Sequence, residues 1–405
     1  MKNKIIFHID VDSFFVSVET WLRPELRDKD VAICKNKPKA VVCSLSHSAK
    51  QKGARVPMKL YEVKKFCPDI IAIEPSHNLY SKVSKRIYDF LKKNYTKNIE
   101  VGSIDEWYLD LTELSKRYKN LISLAKKIQK DLYENMFITV SIGISYNKFL
   151  AKMASELKKP NEISIINKNN INEIIWPLNI DRCLGIGKSL SIQLKKMNIL
   201  TIGDLVDNKD EDKVKNLFKN TLDKYIDNII GTVNDENIKL DNKSYDDTKS
   251  IGAQMTFGGK YLIDLKEIYD AFRLLSTRVC DILNRRRVVA YGVSIIVKYV
   301  DKQRFSSSIK KEEIINDENQ IFDISIKLFN KLWNEKDILM LGVSVFDLFS
   351  SNTNVKNESL FNLKDDNVDI NNRKINDLIN NLNYKLGNNN LKLLVDIKDG
   401  DENEW

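Results

Sequence analysis

The sequence predicts a multidomain α+β protein, and three observations carry that reading. At 405 residues the chain is long enough for two to four domains of about 100 to 200 residues each. Short runs with the period of a strand are interspersed with longer runs with the period of a helix. Between residues 250 and 345 these runs read strand, helix, strand, helix, strand, an order that suggests a β-α-β-β-α-β unit.

The first element, Lys4 to Ile9, is an apolar strand that ends in Asp10 and turns straight into an apolar helix start at Phe14 to Glu19. Leu79 to Lys93 and Lys116 to Glu134 have helical periodicity, and between them Val101 to Asp110 reads as a hairpin with acids at its turn. Phe137 to Ile144 alternates as a strand should, and residues 169 to about 235 read as short helices. Within these, Leu184-Gly185-Ile186-Gly187-Lys188-Ser189 is no P-loop, because that pattern needs glycine where Arg182 stands. It fits a helix-hairpin-helix better, a Gly-bracketed turn between Ile180 to Cys183 and the apolar-periodic Leu190 to Met197. Free amides at the start of the second helix would grip a DNA phosphate without reading sequence. Asp235 to Asp247 reads as a polar linker. Beyond it come a strand opening at Ser250, a helix from Leu265 to Asn284, a strand from Tyr291 to Tyr299, a helix from Asp317 to Trp333 and a strand from Met340 to Val345. In the tail, Ile375, Leu378, Ile379, Leu382 and Leu386 share one helical face, with Gly387 as the stop.

Composition narrows the class. With 42% hydrophobic and 30% charged residues the chain reads as a globular protein, and no apolar run approaches the roughly 18 residues that span a bilayer. His8 and Asp10 break the first apolar stretch, so it is no signal peptide. Five cysteines with no C-x-x-C pair and three scattered histidines argue for a reducing cytoplasm and against structural zinc. Net charge is +9, yet residues 351 to 405 hold seven Lys/Arg against ten Asp/Glu, which leaves +12 on the rest. A basic body with an acidic tail fits a polyanion partner bound by the body.

The acids carry the chemistry. Asp10, Asp105 and Glu106 are hard oxygen donors, and three carboxylates gathered at one place need bound cations to cancel their repulsion. Two such ions are a standard clamp on the attacking and leaving oxygens of a phosphoryl transfer. The segments Ile5 to Glu19 and Val101 to Asp110, taken as a pair, resemble the Y-family DNA polymerases, the lesion-bypass enzymes, and the resemblance runs from about residue 4 to about residue 350. It implies a right hand whose palm, residues 1–13 and 79–168, is an antiparallel sheet with helices on one side. Fingers at 14–78, a helical thumb with the helix-hairpin-helix at 169–235, a linker at 236–247, a little finger at 248–350 and a tail at 351–405 would complete it.

The resemblance also implies roles. Asp10, Asp105, Glu106 and the backbone carbonyl of Val11 would ligate two Mg²⁺, with primed template DNA and a dNTP as substrates. Asp12, Asp110 and Glu113 match no ligand position and read as structural or solvated. Phe14 and Phe15 fall where the family places a ring under the incoming sugar, and Phe15 would act as a steric gate against a ribose 2′-hydroxyl. His47 and Lys50 stand where the family usually carries a Tyr and an Arg aimed at the triphosphate, and Lys59 stands where Pro usually follows the Met of that segment. Lysine donates to phosphate as a point charge without arginine's bidentate fork. Lys159, in Leu157-Lys158-Lys159-Pro160-Asn161, matches the phosphate lysine. Gly185, Gly187 and Lys188 would hold DNA, and Arg285 to Arg287 with Lys302 to Arg304 could line its backbone. Asn357-Glu358-Ser359-Leu360-Phe361 resembles the pentapeptide that docks on a sliding clamp, with Leu360 and Phe361 as apolar anchors. A cytoplasmic monomer is expected. Two rivals remain at this point: a two-metal nuclease with a helix-hairpin-helix grip, and a degenerate clamp-tethered DNA-binding protein.

Overall fold

β1 (Ile6–Val11) is buried along its whole length and forms the spine of the part of the molecule that holds the acids. The structure, a computed structural model, describes residues 4–231, 249–257 and 261–350. The linker, the tail with Leu360 and Phe361, and the apolar helical face at 375–386 lie outside the described residues. The chain divides into two compact units, residues 1–248 and 249–405, each with its own core.

In the first unit β1 is followed by α1 (Phe14–Leu22), β2 (Val31–Ile33), β3 (Ser44–Leu45), α2 (His47–Gln51), α3 (Leu60–Val63), β4 (Ile71–Ile73) and α4 (His77–Asn94). Then come β5 (Ile99–Val101), β6 (Glu106–Asp110), α5 (Thr112–Ser115), α6 (Leu121–Met136), β7 (Val140–Ser145), α7 (Lys148–Ser155) and β8 (Ile163–Ile165). Short helices close the unit: α8 (Ile171–Ile174), α9 (Lys188–Lys196), α10 (Ile202–Asp207), α11 (Asp212–Phe218) and α12 (Leu222–Ile230).

Five strands form one sheet in the order β5-β6-β1-β7-β8, antiparallel except for the parallel edge pair β7–β8. Strand alternation sends Phe7, Ile9 and Val11 into a core with Tyr80, Val83 and Ile87 of α4 and Leu124, Ile128 and Leu132 of α6. Ile6, His8 and Asp10 therefore face the other way. That face is not bare, which corrects the expectation of helices on one side only: Ile6 packs on Ala151 of α7, and His8 bonds Ser155 at its end. Gly143 of β7 makes this possible, since a Cβ there would stand 1.9 Å from the Ala151 carbonyl oxygen and 2.3 Å from the Ser155 nitrogen. α7 thus lies directly on the sheet backbone.

Two further boundaries differ from the sequence reading. The helix expected from Lys116 starts only at Leu121, because the Asn120 side chain accepts from the Ser123 amide at 2.8 Å and caps it there. Ahead of the Gly-bracketed turn, Ile180–Arg182 is a single 3₁₀ turn rather than a full helix. Its residue Ile180 joins Leu194, Ile202, Leu205 and Ile226 in a second core, to which α7 contributes Leu150 and Met153. One helix therefore presents one side to the sheet and another to the helical region.

β2 pairs antiparallel with β3 and parallel with β4, and this small sheet has a core of Ala32, Cys34, Val42, Leu45, Leu60 and Val63. α1 joins it to β1 by packing Val16 with Val31, Ile33 and Ile73.

The second unit comprises β9 (Ser250–Thr256), α13 (Leu265–Arg286), β10 (Val288–Tyr299), β11 (Arg304–Ile315), α14 (Glu318–Leu332) and β12 (Ile338–Ser350). This is the β-α-β-β-α-β order that the sequence predicts, in an antiparallel sheet ordered β11-β10-β12-β9. Asp264 and Asp317 cap the two helices through side-chain bonds to their first amides. Phe272 and Phe329, one from each helix, meet at 5.2 Å over the sheet.

Candidate active site

Asp10 sits one residue before the end of β1 and pairs directly with Glu106, the first residue of β6. The Val11 amide donates to the Asp105 carbonyl at 3.0 Å, which pins the hairpin turn to the end of β1. Strand register alone thus brings the two sequence segments together. One carboxylate oxygen each of Asp10, Glu106 and Glu156 lie within 4.8 Å of one another. Asp105 is not in that group; its carboxylate accepts from the Ser103 hydroxyl within the turn. Val11 buries its side chain in the core, so only its backbone belongs to the site.

Cationic groups hold these acids. Lys159 Nζ donates to Asp10 at 2.8 Å and to Glu156 at 2.7 Å, and Lys152 Nζ pairs with Glu106. Burial pushes the Asp10 carboxyl up to about 7, outweighing the lowering by Lys159. Burial acts the same way on Glu106, but hydrogen bonding to His8 and Lys152 prevails and holds it at about 2. His8 is fully buried, with Nδ1 at 2.7 Å from Ser155 Oγ and Nε2 at 3.5 Å from Glu106 Oε2.

A divalent cation fits this donor set. The ligand atoms are hard oxygens, and the raised Asp10 carboxyl shows that the protein's own charges do not fully satisfy a buried anion. Asp10, Glu106 and Glu156 are placed to hold such an ion, while Asp105 sits in the hairpin turn directly before Glu106.

The remaining sequence-derived residues fall as follows. Lys50 Nζ donates to Ser13 Oγ at 2.7 Å, and burial lowers its pKa while Asp12 and Asp10 raise it, so the β2–β3–β4 region reaches the acids through this side chain. His47 is exposed at the start of α2. Phe15 is half-buried and stacks on Tyr80 at 4.4 Å, and the Tyr80 hydroxyl donates to Glu19 at 2.7 Å. Phe14 is a core residue, 3% exposed and edge-on to Tyr80, so of the two adjacent rings Phe15 is the more exposed. Asp12 accepts from Ser141 Oγ at 2.7 Å and from the Asn161 amide at 2.9 Å, and Asp110 from Lys4 at 3.1 Å, which are structural bonds. Glu113 pairs with Lys116 at the surface.

Away from the acids, Gly185 takes φ +89° beside the Tyr225 ring, whose hydroxyl donates to the Leu184 carbonyl. That left-handed turn delivers Gly187 as the N-cap of α9 with no side-chain cap bond, and Lys188 is exposed at the helix start. In the second unit Arg285 to Arg287 and Lys302 to Arg304 are exposed.

Four residues of the site escape the sequence reading: His8, Lys152, Ser155 and Glu156. For the last three the signal was the spacing of Lys148, Lys152, Ser155 and Glu156, which puts them along one face of α7 and its C-terminal end. Lys148 completes that row with a 2.9 Å pair to Glu100.

Acids paired where β1 ends and β6 begins, on this fold, are the arrangement of a Y-family DNA polymerase, and the chain belongs to the impB/mucB/samB family. Its model matches residues 9–156, and that of the family's C-terminal domain matches 248–360. The relatives include the protein named DNA polymerase IV in Bacillus velezensis, 32% identical over 96% of this chain and 92% of that protein. DNA polymerase IV 1 of Bacillus subtilis is 33% identical over 95% of this chain and 91% of that protein. Among solved structures, a Y-family DNA polymerase chimera of Dbh and Dpo4 is similar with a TM-score of 0.75 at 25% identity, covering 85% of this chain and 99% of that one. An insertion ternary complex of Dbh DNA polymerase is similar with a TM-score of 0.60 at 24% identity, covering 85% and 99%.

Proposed function

We propose that the protein is a template-directed DNA polymerase that adds deoxynucleotides to a primer and copies past damaged bases with low fidelity. The observation that carries this is the meeting of Asp10 and Glu106 across β1 and β6, with Lys159 on Asp10 and Lys50 on Ser13 beside them. Relatives named DNA polymerase IV and a ternary complex among the similar structures support DNA and dNTP as the substrates.

On this reading Asp10, Asp105, Glu106 and the Val11 carbonyl hold two Mg²⁺. Bound there, the ions supply a lowered pKa at the primer 3′-hydroxyl and neutralisation of the triphosphate. The chain's own residues do the rest. Lys159 leaves its carboxylates for the triphosphate, and Lys50 and His47 donate to phosphate oxygens from the β2–β3–β4 region. Phe15, fixed by its stack on Tyr80, closes the space a 2′-hydroxyl would occupy. The uncapped amides of α9, with Gly185, Gly187 and Lys188, hold a DNA phosphate. Leu360 and Phe361 dock a sliding clamp.

The palm, fingers, thumb and little finger take the ranges given above, and the protein works as a cytoplasmic monomer. Primed template incubated with dNTPs and Mg²⁺ tests the reading: the primer should lengthen, and Asp10→Ala should abolish this while DNA binding persists. A shortened primer would instead assign a nuclease, and an unchanged one a binding protein.

A further inference from the structure

Nearly all of the net charge of this chain sits on one small region. Residues 31 to 66 carry nine Lys/Arg against the single acid Glu62, a net +8 where the whole chain has +9. Of the nine, only Lys50 belongs to the site described above, and Lys52 is paired with Asp30 at 2.5 Å. Lys35, Lys37, Lys39, Lys59, Lys64 and Lys65 are exposed and form no ion pair among the described residues.

Backbone bonds gather several of these side chains onto one surface. The Leu60 and Tyr61 amides donate to the Ala40 and Pro38 carbonyls at 2.9 and 3.0 Å, and Val41 bridges to Lys59. The 37–41 loop and the start of α3 are therefore a single face. At its centre the Tyr61 ring is 42% exposed, with Lys59 and Lys65 Nζ at 5.9 and 6.0 Å from its centroid. An exposed ring flanked by ammonium groups suits an unpaired base stacked on the ring with its phosphates on the lysines. Duplex DNA offers no free base face to such a ring.

We propose that this face binds the single-stranded template ahead of the active site. The inference rests on the polymerase reading, since only a templated enzyme has an unpaired strand feeding into the acids. It adds a site that the acids, Phe15 and α9 do not provide. The face connects to the acids through the segment that precedes it: the Met58 amide donates to the Arg55 carbonyl at 3.1 Å, Arg55 Nη1 donates to the Lys50 carbonyl at 2.7 Å, and Lys50 reaches Ser13.

The test compares primer-templates with a long template overhang and with a single-nucleotide overhang, by fluorescence anisotropy and primer extension. The proteins are the full chain, a Lys37→Ala/Lys39→Ala/Lys59→Ala/Lys65→Ala variant, Tyr61→Ala and Tyr61→Phe. Wild type should prefer the long overhang, and Tyr61→Ala should lose about five-fold or more of that affinity while Tyr61→Phe retains it. The quadruple variant should erase the preference and reduce the salt slope on the long overhang by up to about 3, at about 0.7 for each phosphate that no longer meets a lysine. Extension on the single-nucleotide overhang should stay at the wild-type level, which separates failure of this site from failure of the polymerase reading. An unchanged overhang preference in the quadruple variant overturns the proposal, whether the lysines are merely solvated or serve the acidic end of the chain.

Discussion

Replacing Gly143 by Ala tests how tightly the site depends on α7. The new Cβ would lie 1.9 Å from the Ala151 oxygen and 2.3 Å from the Ser155 nitrogen, both backbone atoms of α7, so no side-chain rotation relieves the overlap. An ordinary carbon-to-oxygen approach is about 3.3 Å, so the helix must withdraw by about 1.4 Å or the sheet must buckle. Overpacking of this kind costs about 1 to 3 kcal/mol. α7 also carries Lys152, Ser155 and, just past its end, Glu156, while Lys159 follows three residues later. A displacement of about 1 Å at reacting groups costs on the order of 100-fold in rate. Gly143→Ala should therefore remain folded at 25 °C, melt several degrees lower, and extend a primer on the order of 100-fold more slowly at saturating dNTP. A variant with wild-type melting and extension within about two-fold would refute the claim that α7 seated on the sheet backbone sets the site.

Three further outcomes follow from the same geometry. Phe15→Ala should raise ribonucleotide incorporation sharply with little change for deoxynucleotides, and unchanged sugar discrimination in single-turnover assays would refute the gate. Lys188→Glu should weaken DNA binding and flatten its salt dependence, so a wild-type slope would count against the phosphate grip at α9. In EDTA, the raised Asp10 carboxyl contributes stability below about pH 4 that is lost as pH rises through about 7. Asp10→Asn lacks this dependence, so its denaturation midpoint should gain on wild type across that range, and a constant offset would contradict the burial of the carboxylate.

Much of the fold was legible because each element agreed with its own period. β1, the β5–β6 hairpin and five of the six elements of the β-α-β-β-α-β unit follow from alternation and amphipathic spacing, whereas β11 is exposed along nearly its whole length and carries no apolar alternation to show it. The late start of α6 was not, since Asn120 is a capping residue whose effect competes with the helical pattern around it. The covering of the second sheet face by α7 was hidden in Gly143, which on its own is only a small residue in a strand. At the site, Asp10 and Glu106 were readable as strand-end acids. Their partners His8, Lys152, Ser155 and Glu156 were not, because burial and pairing across the sheet depend on which face of β1 is covered. Phe14 and Phe15 are adjacent, and only packing decides that the first is buried edge-on to Tyr80 and the second stays half-buried, stacked on the same ring.

The most direct measurement is a Mn²⁺ titration of the protein bound to a dideoxy-terminated primer-template and the next dNTP, where no bond can form. Two ions per complex are predicted for wild type, with loss of at least one in Asp10→Ala and in Glu106→Ala while DNA remains bound. Wild-type stoichiometry and affinity in both variants would contradict a metal site built on these carboxylates.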